Sequence, residues 1–130
     1  MKPLLPPGWP RPKGYSNAIV ASGRTIYTAG VIGWDEQERF AADTLPAQFS
    51  QALRNIVAIL AVDSARPEHL VRLTCYVTSI DAYTASLSEI GAAWKAIIGP
   101  HYPAMALVEV VRLVEPRAMV EIEATAVVPE

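Results

Sequence analysis

Tyr102-Pro103-Ala104-Met105-Ala106-Leu107-Val108-Glu109-Val110-Val111-Arg112-Leu113 and Ala118-Met119-Val120-Glu121-Ile122-Glu123-Ala124-Thr125-Ala126-Val127 are the runs that decide the fold. Both are dense in β-branched and apolar residues, the composition of strands. In the second run Val120, Ile122, Ala124 and Ala126 share one face, while Met119, Glu121, Glu123 and Thr125 share the other. The first face suits a core. The second points two carboxylates the same way, and the functional reading starts from them.

Upstream, the chain alternates between strand and helix patterns. Met1–Lys13 is dense in proline and should run as an extended arm, with Trp9 anchoring it to the body. Ala18–Ala21 reads as a short strand, Ser22-Gly23 as a hairpin turn and Thr25–Ile32 as the returning strand. Gly30 inside that strand marks a bulge or a place where something comes close to the backbone. Asp43 or Thr44 can cap a helix with Pro46 in its first turn. Its apolar stripe is Phe49, Leu53, Ile56, Val57 and Leu60, and its polar side Gln48, Gln51, Arg54 and Asn55. Leu70–Thr78 alternates as a strand, with Val71, Leu73, Cys75 and Val77 on one face and Arg72, Thr74, Tyr76 and Thr78 on the other. Asp81 caps a second helix with the stripe Tyr83, Leu87, Ile90, Trp94, Ile97 and Ile98, stopped by Gly99-Pro100. Val114–Arg117 then turns the chain between the two runs quoted first.

The order β-β-α-β-α-β-β predicts an α+β two-layer sandwich, a mixed sheet with two helices on one face. Residues 1–130 make one domain, with residues 1–13 as its arm. The other sheet face would carry Tyr76, Met119 and either Met105 and Leu107 or Ala106 and Val108. It should be covered by further subunits. Composition agrees: the 130 residues are 52% hydrophobic and only 18% charged, an apolar surplus that suits a subunit interface.

Several function classes lose support. No apolar run reaches the roughly 20 residues of a membrane helix, and Lys2, Pro3, Pro6 and Pro7 do not open a signal peptide. Cys75 is the one cysteine, which fits a reducing, cytoplasmic setting. A net charge of −2 without a basic cluster argues against nucleic-acid binding. His69 and His101 lack the neighbours of a metal site, and there is no phosphate loop, nucleophile elbow or zinc signature. One of Glu121 and Glu123 could activate a water at a subunit boundary, or both could belong to a salt bridge or a solvated strand edge. Glu109, expected on the neighbouring strand, carries the same two readings. Tyr15 could present its hydroxyl to a cleft or be half-buried packing. Trp34 and Trp94 could line a cleft or fill a core or interface. Cys75 reads as a buried, inert thiol.

These residues resemble the Rid family (RidA or YjgF, once labelled endoribonuclease L-PSP). The likeness rests on Gly14-Tyr15-Ser16-Asn17-Ala18, Ala29-Gly30, Gln48 with Leu53-Arg54-Asn55-Ile56, and the strand Val71–Thr78. Tyr102-Pro103-Ala104, Val108-Glu109-Val110 and Val120-Glu121-Ile122-Glu123-Ala124 complete it. The resemblance implies a chorismate-mutase-like fold and a homotrimer with a central barrel and three intersubunit clefts. It implies hydrolysis of reactive enamines and imines to ketones and ammonia, with no metal or cofactor. Glu121 matches the glutamate that positions water, Tyr15 a tyrosine lining the cleft, and Gly30 and Leu107 main chain near bound ligands. Three departures stand out: Met105 replaces an arginine that grips the substrate carboxylate, Leu107 a common cysteine, and Ala29 a common serine. Losing a desolvated charged hydrogen bond costs on the order of 1.5–3 kcal/mol. Trp34, Trp94, Met105 and Leu107 therefore point to a larger, more apolar small-molecule ligand. A non-catalytic relative that binds a small apolar or aromatic metabolite is the alternative. A ribonuclease fits the acidic pI least.

Overall fold

A computed structural model describes residues 1–130. Strands β1 (Lys2–Leu4), β2 (Ala18–Val20), β3 (Arg24–Tyr27) and β4 (Val31–Ile32) precede helix α1 (Leu45–Ala61). A 3-10 turn (Pro67–His69), β5 (Leu70–Val77), α2 (Ile80–Ala85), α3 (Leu87–Ile97), β6 (Ala104–Glu109) and β7 (Val120–Val128) follow. The main sheet has the order β3-β7-β5-β6, and β4 also pairs with β7. Only β5 and β6 are parallel, because α2 and α3 carry the chain back before β6 begins. The fold is the expected mixed-sheet α+β arrangement.

β7 behaves as its alternation demands. Val120, Ile122, Ala124 and Ala126 are buried, and Glu121 and Glu123 lie on the opposite face. Phe49, Leu53, Ile56 and Leu60 of α1 pack onto that buried face with Leu73, Cys75 and Val77 of β5. Each such side chain contributes roughly 1.5–3 kcal/mol by leaving water. Ile90 and Trp94 of α3 and Ile98 just past its end close the core.

Several local expectations are corrected. β6 and β7 are not neighbours, so Glu109 is not beside the Glu121 strand: β5 lies between them. Glu109 instead accepts the Ile80 N–H at 3.0 Å at the start of α2. β2 and β3 form no hairpin. β2 pairs with β1 of the arm, and β3 with β7. The turn at Gly23 passes the chain from the ribbon to the main sheet. Gly23 has φ 145, and a Cβ there would lie 2.2 Å from the Val128 carbonyl oxygen. The strand expected over Thr25–Ile32 breaks at Thr28–Gly30, where the Thr28 hydroxyl accepts the Ala124 N–H at 2.9 Å. Trp9 is 62% exposed and anchors nothing.

A register shift between Leu70 and Arg72 moves the buried face of β5. Leu70 is buried there, and Val71 is only partly so. Thr44 caps α1 as one of the two candidates, accepting the Ala47 N–H. The second helix starts on Ser79 rather than Asp81 and breaks at Ser86 into α2 and α3. Gln48, assigned to the polar side of α1, is only 1% exposed. Its amide donates to the Arg117 carbonyl at 3.0 Å and the Ala42 carbonyl at 3.3 Å, and accepts the Met119 N–H at 2.8 Å. It fixes the entry to β7.

β6 settles which residues face which way. Met105 and Leu107 pair across from Leu73 and Cys75 and pack against the core on the helix side. Ala106 and Val108 lie with Tyr76, Glu121 and Glu123 on the face without helices. Met119, expected on that open face, packs against the core instead. No helix is long and apolar enough to cross a membrane.

Candidate functional site

Two motifs far apart in sequence meet at the β6 edge. The Ser16 N–H donates to the Pro103 carbonyl at 3.0 Å, the Ser16 hydroxyl donates to the Tyr102 carbonyl, and Ser16 bridges to Ala104. This seats Tyr15 beside β6. Tyr15, Trp94, Met105 and Leu107 then line one hollow of about 540 Å³. Trp94 is held by its indole N–H donating to the His101 carbonyl at 3.1 Å. Its ring stacks on Tyr102 at 6.3 Å between centroids and 13° between planes. Phe49 and Tyr83 also line this hollow, 6.2 Å apart. Burial raises the Tyr83 phenol above its ordinary pKa, with a smaller push from the Cys75 thiol. The hollow's only charged lining side chain is Lys13.

Glu121, Gly30 and Trp34 meet elsewhere, in a hollow of about 650 Å³ beside β4. Glu121 pairs across from Ile32 on one side and Tyr76 on the other. Its carboxylate rests against the main chain at Gly30. A Cβ built on Gly30 would lie 2.6 Å from Glu121 Cδ and 2.7 Å from Oε2. The close approach expected at Gly30 is therefore the Glu121 carboxylate itself. Asn55 steadies the adjoining chain, donating to the Ile32 carbonyl at 3.1 Å and the Trp34 carbonyl at 2.8 Å. Asp35 closes the next turn by accepting the Gln37 and Arg39 N–H groups, each at 2.9 Å. Those two hydrogen bonds, that of Arg39 foremost, hold its carboxyl below the usual carboxylate pKa. Trp34 packs on Phe40, whose other contact is the Arg117 guanidinium 5.2 Å from the ring centroid. Tyr76 donates its hydroxyl to Glu123 at 2.9 Å, which raises its pKa.

A sequence profile of the family described as endoribonuclease L-PSP matches residues 10–128. The chain belongs to this family, the Rid family. It is 30% identical over 108 residues to the 2-iminobutanoate/2-iminopropanoate deaminase of Salmonella typhimurium, covering 81% of this chain and 80% of that protein. The fold matches the Rid-family protein YyfB of Yersinia pestis with a TM-score of 0.83, at 32% identity and 98% coverage of both chains. A YjgF/YER057c/UK114-family member from Mycobacterium tuberculosis matches with a TM-score of 0.67, at 34% identity, covering 89% of this chain and 88% of that one.

Within one Rid chain the two groups stay apart. Met105 pairs with Leu73, which pairs with Ala124, three residues along β7 from Glu121. Strand spacing and rise put the Glu121 and Met105 Cα atoms about 14 Å apart, with side chains on opposite faces of the sheet. Tyr15, Trp94, Met105 and Leu107 come together, as do Glu121, Gly30 and Trp34, but neither group meets the other. Tyr102, Tyr83 and Phe49 are aromatic lining residues that pattern reading did not assign to a site. Tyr102 could have been flagged by the Tyr-Pro-Ala motif, whereas Tyr83 and Phe49 sit in helical stripes that read as core. Of the cations that could stand in for an arginine at position 105, Arg112 and Arg117 border a third hollow beside Thr78 and Met119. Lys13 alone borders the Met105 hollow.

Proposed function

We propose that residues 1–130 form one Rid-type domain that assembles as a homotrimer and hydrolyses a reactive imine or enamine without a metal or cofactor. The Tyr15–Met105 hollow of one subunit and the Glu121–Gly30 hollow of the next would form the two walls of each cleft. Glu121 takes a proton from water as the water oxygen adds to the C=N carbon. The proton then passes to nitrogen, the new hydroxyl gives up its own proton to the carboxylate as the C–N bond breaks, and a ketone and ammonia leave. Tyr15 and the Gly30 and Leu107 main chain line the cleft. The likeness to the Salmonella deaminase supports this chemistry.

The observation that carries the reading is the seat of Glu121. Its carboxylate lies against a residue without a side chain, beside an open hollow. A base already at the edge of the hollow needs only a water and a substrate beside it to act. The apolar substitutions at Met105 and Leu107 favour a second reading, in which the cleft binds an apolar metabolite without turnover.

One assay separates the two. Imines are generated in situ from a panel of amino acids by an amino-acid oxidase, and their clearance is followed with the native protein and Glu121→Gln. The hydrolase reading expects native turnover that drops about 10²–10⁴-fold in the variant. Native inertness toward every imine leaves the binding reading, and equal rates in both proteins remove Glu121 from the chemistry.

A further inference from the structure

The Met105 hollow is divided in its chemistry. Nine of its twelve lining residues are hydrophobic. Phe49 is a buried floor at 2% exposure, and the stacked Trp94–Tyr102 pair forms a flat wall. Tyr102 at 45% and Leu87 at 53% exposed leave apolar surface facing the open hollow. Against this stands one ammonium, that of Lys13. The ion pairs of the chain are Arg24–Asp63, Arg66–Glu68 and His69–Glu68, so Lys13 has no carboxylate partner. The Glu121 hollow is the reverse: Asp35, Glu36, Glu38, Glu115 and Glu121 line it, and no cation does.

We infer that this site is built for a 2-imino acid or related carboxylate with a bulky aromatic or branched apolar side chain, whose carboxylate is held by Lys13 rather than by a residue at position 105. The inference rests on the hydrolase reading for its chemistry, but not for its binding. A volume of about 540 Å³ lies within the range of pockets that enclose drug-sized ligands. A side chain of one or two carbons would leave the Trp94–Tyr102 wall in contact with water. An aromatic ring would cover it. Lys13 is a flexible point charge and not a planar fork, so it holds a carboxylate without dictating its angle. That tolerance suits ligands of differing bulk. The charge division suits an iminium carboxylate, anionic at the Lys13 end and cationic toward the carboxylates of the other wall.

The test uses stable probes on the full-length protein. Calorimetry measures 3-phenylpropanoate, propanoate and 3-phenylpropan-1-ol binding to native protein, Lys13→Met and Lys13→Arg. 3-Phenylpropanoate is expected to bind about tenfold or more tighter than either other probe, the worth of one exposed charged hydrogen bond or one stacked ring. Lys13→Met should erase the preference for the acid over the alcohol and keep the preference for the ring, while Lys13→Arg restores both. Lys13 is exposed and outside every strand and helix, so its replacement leaves the fold intact. An unchanged acid-to-alcohol ratio in Lys13→Met, or propanoate binding as tightly as 3-phenylpropanoate, overturns the inference. Turnover is scored separately. Glu121-dependent imine clearance without these preferences refutes the inference and spares the hydrolase reading. The stated binding pattern without turnover upholds the site and refutes the hydrolase reading.

Discussion

Replacing Gly30 with alanine asks whether Glu121 works from the position in which it sits. The added Cβ would lie 2.6 Å from Glu121 Cδ, 2.7 Å from Oε2 and 3.0 Å from Cγ. Carbon atoms settle at about 3.5–4.0 Å, so the carboxylate must retreat by roughly 1 Å. Gly30 is not among the glycines with positive φ, so alanine fits its backbone. The obstructed atoms are the end of a flexible side chain on a partly exposed face. The fold therefore need not move, and the smaller entropy of the unfolded chain should stabilise the variant by about 0.4–1 kcal/mol. Activity should respond very differently. A displacement of about 1 Å in a reacting group costs on the order of 10²-fold in rate, or about 2.7 kcal/mol in the barrier. The assay is kcat/KM for imine hydrolysis beside a thermal melt. The expected result is a loss of about 100-fold with Tm unchanged or raised. In a Glu121→Gln background, Gly30→Ala should add almost nothing, because both act through one carboxylate. Full activity in Gly30→Ala, or an undiminished second loss in the double variant, would refute the assignment of Glu121 as the positioned base.

If each cleft draws its walls from different chains, as proposed, mixing inactive Glu121→Gln with inactive Tyr15→Phe-Met105→Glu subunits, unfolded and refolded together, should restore activity to about one cleft in four; no recovery in confirmed mixed oligomers refutes the intersubunit cleft. Gln48→Leu strands the Met119 N–H and the Arg117 carbonyl and should cost about 2–4 kcal/mol, read as a lower urea midpoint; a change under about 0.5 kcal/mol shows that water replaces the amide. Burial pushes the Cys75 thiol up to about 12 from an ordinary 9.0. The folded state holds that proton more tightly than the unfolded one, so this contribution to stability is complete below about pH 9 and erodes as pH rises toward 12. At pH 8 a disulfide reagent should label Cys75 only as fast as the protein opens, and rapid labelling of the native state would contradict its burial.

What pattern reading captured follows from what a side-chain period can encode. The period of two along β7 separates Val120, Ile122, Ala124 and Ala126 from Glu121 and Glu123, and the structure keeps that separation. The helical stripe through Phe49, Leu53, Ile56 and Leu60 is buried as read. A period says nothing, however, about which strand lies alongside. β6 and β7 look like partners because they are consecutive, yet β5 is buried and central and takes both as neighbours. The facing of Met105 was undecidable until its pairing with Leu73 was known. Phase also fails where a bulge inserts, which is why Leu70 and not Val71 is buried. Gln48 departs from the helical pattern for another reason: an amide is polar by type, but here its three backbone partners let it sit in the core. The motifs single out Tyr15, Gly30, Met105, Leu107 and Glu121, but their division between two hollows depends on sheet register, which no motif encodes.

The division has a chemical consequence. A lysine placed beside Glu121 in the same chain would pair with it, stabilise the carboxylate's charge and lower its basicity. The chain separates them: Lys13 borders a hollow without an acid, and Glu121 one without a cationic side chain. If two subunits close a cleft as proposed, the opposite charges would meet across a gap suited to a ligand of matching charge and length. An imino acid in that gap would engage Lys13 with its carboxylate and bring its iminium carbon toward a water at Glu121. Hydrocarbon alone satisfies the Trp94–Tyr102 wall but leaves both charged groups solvated. Binding energy from the apolar wall then serves to orient the reacting carbon, so a substrate cut back at its side chain should lose kcat as well as affinity.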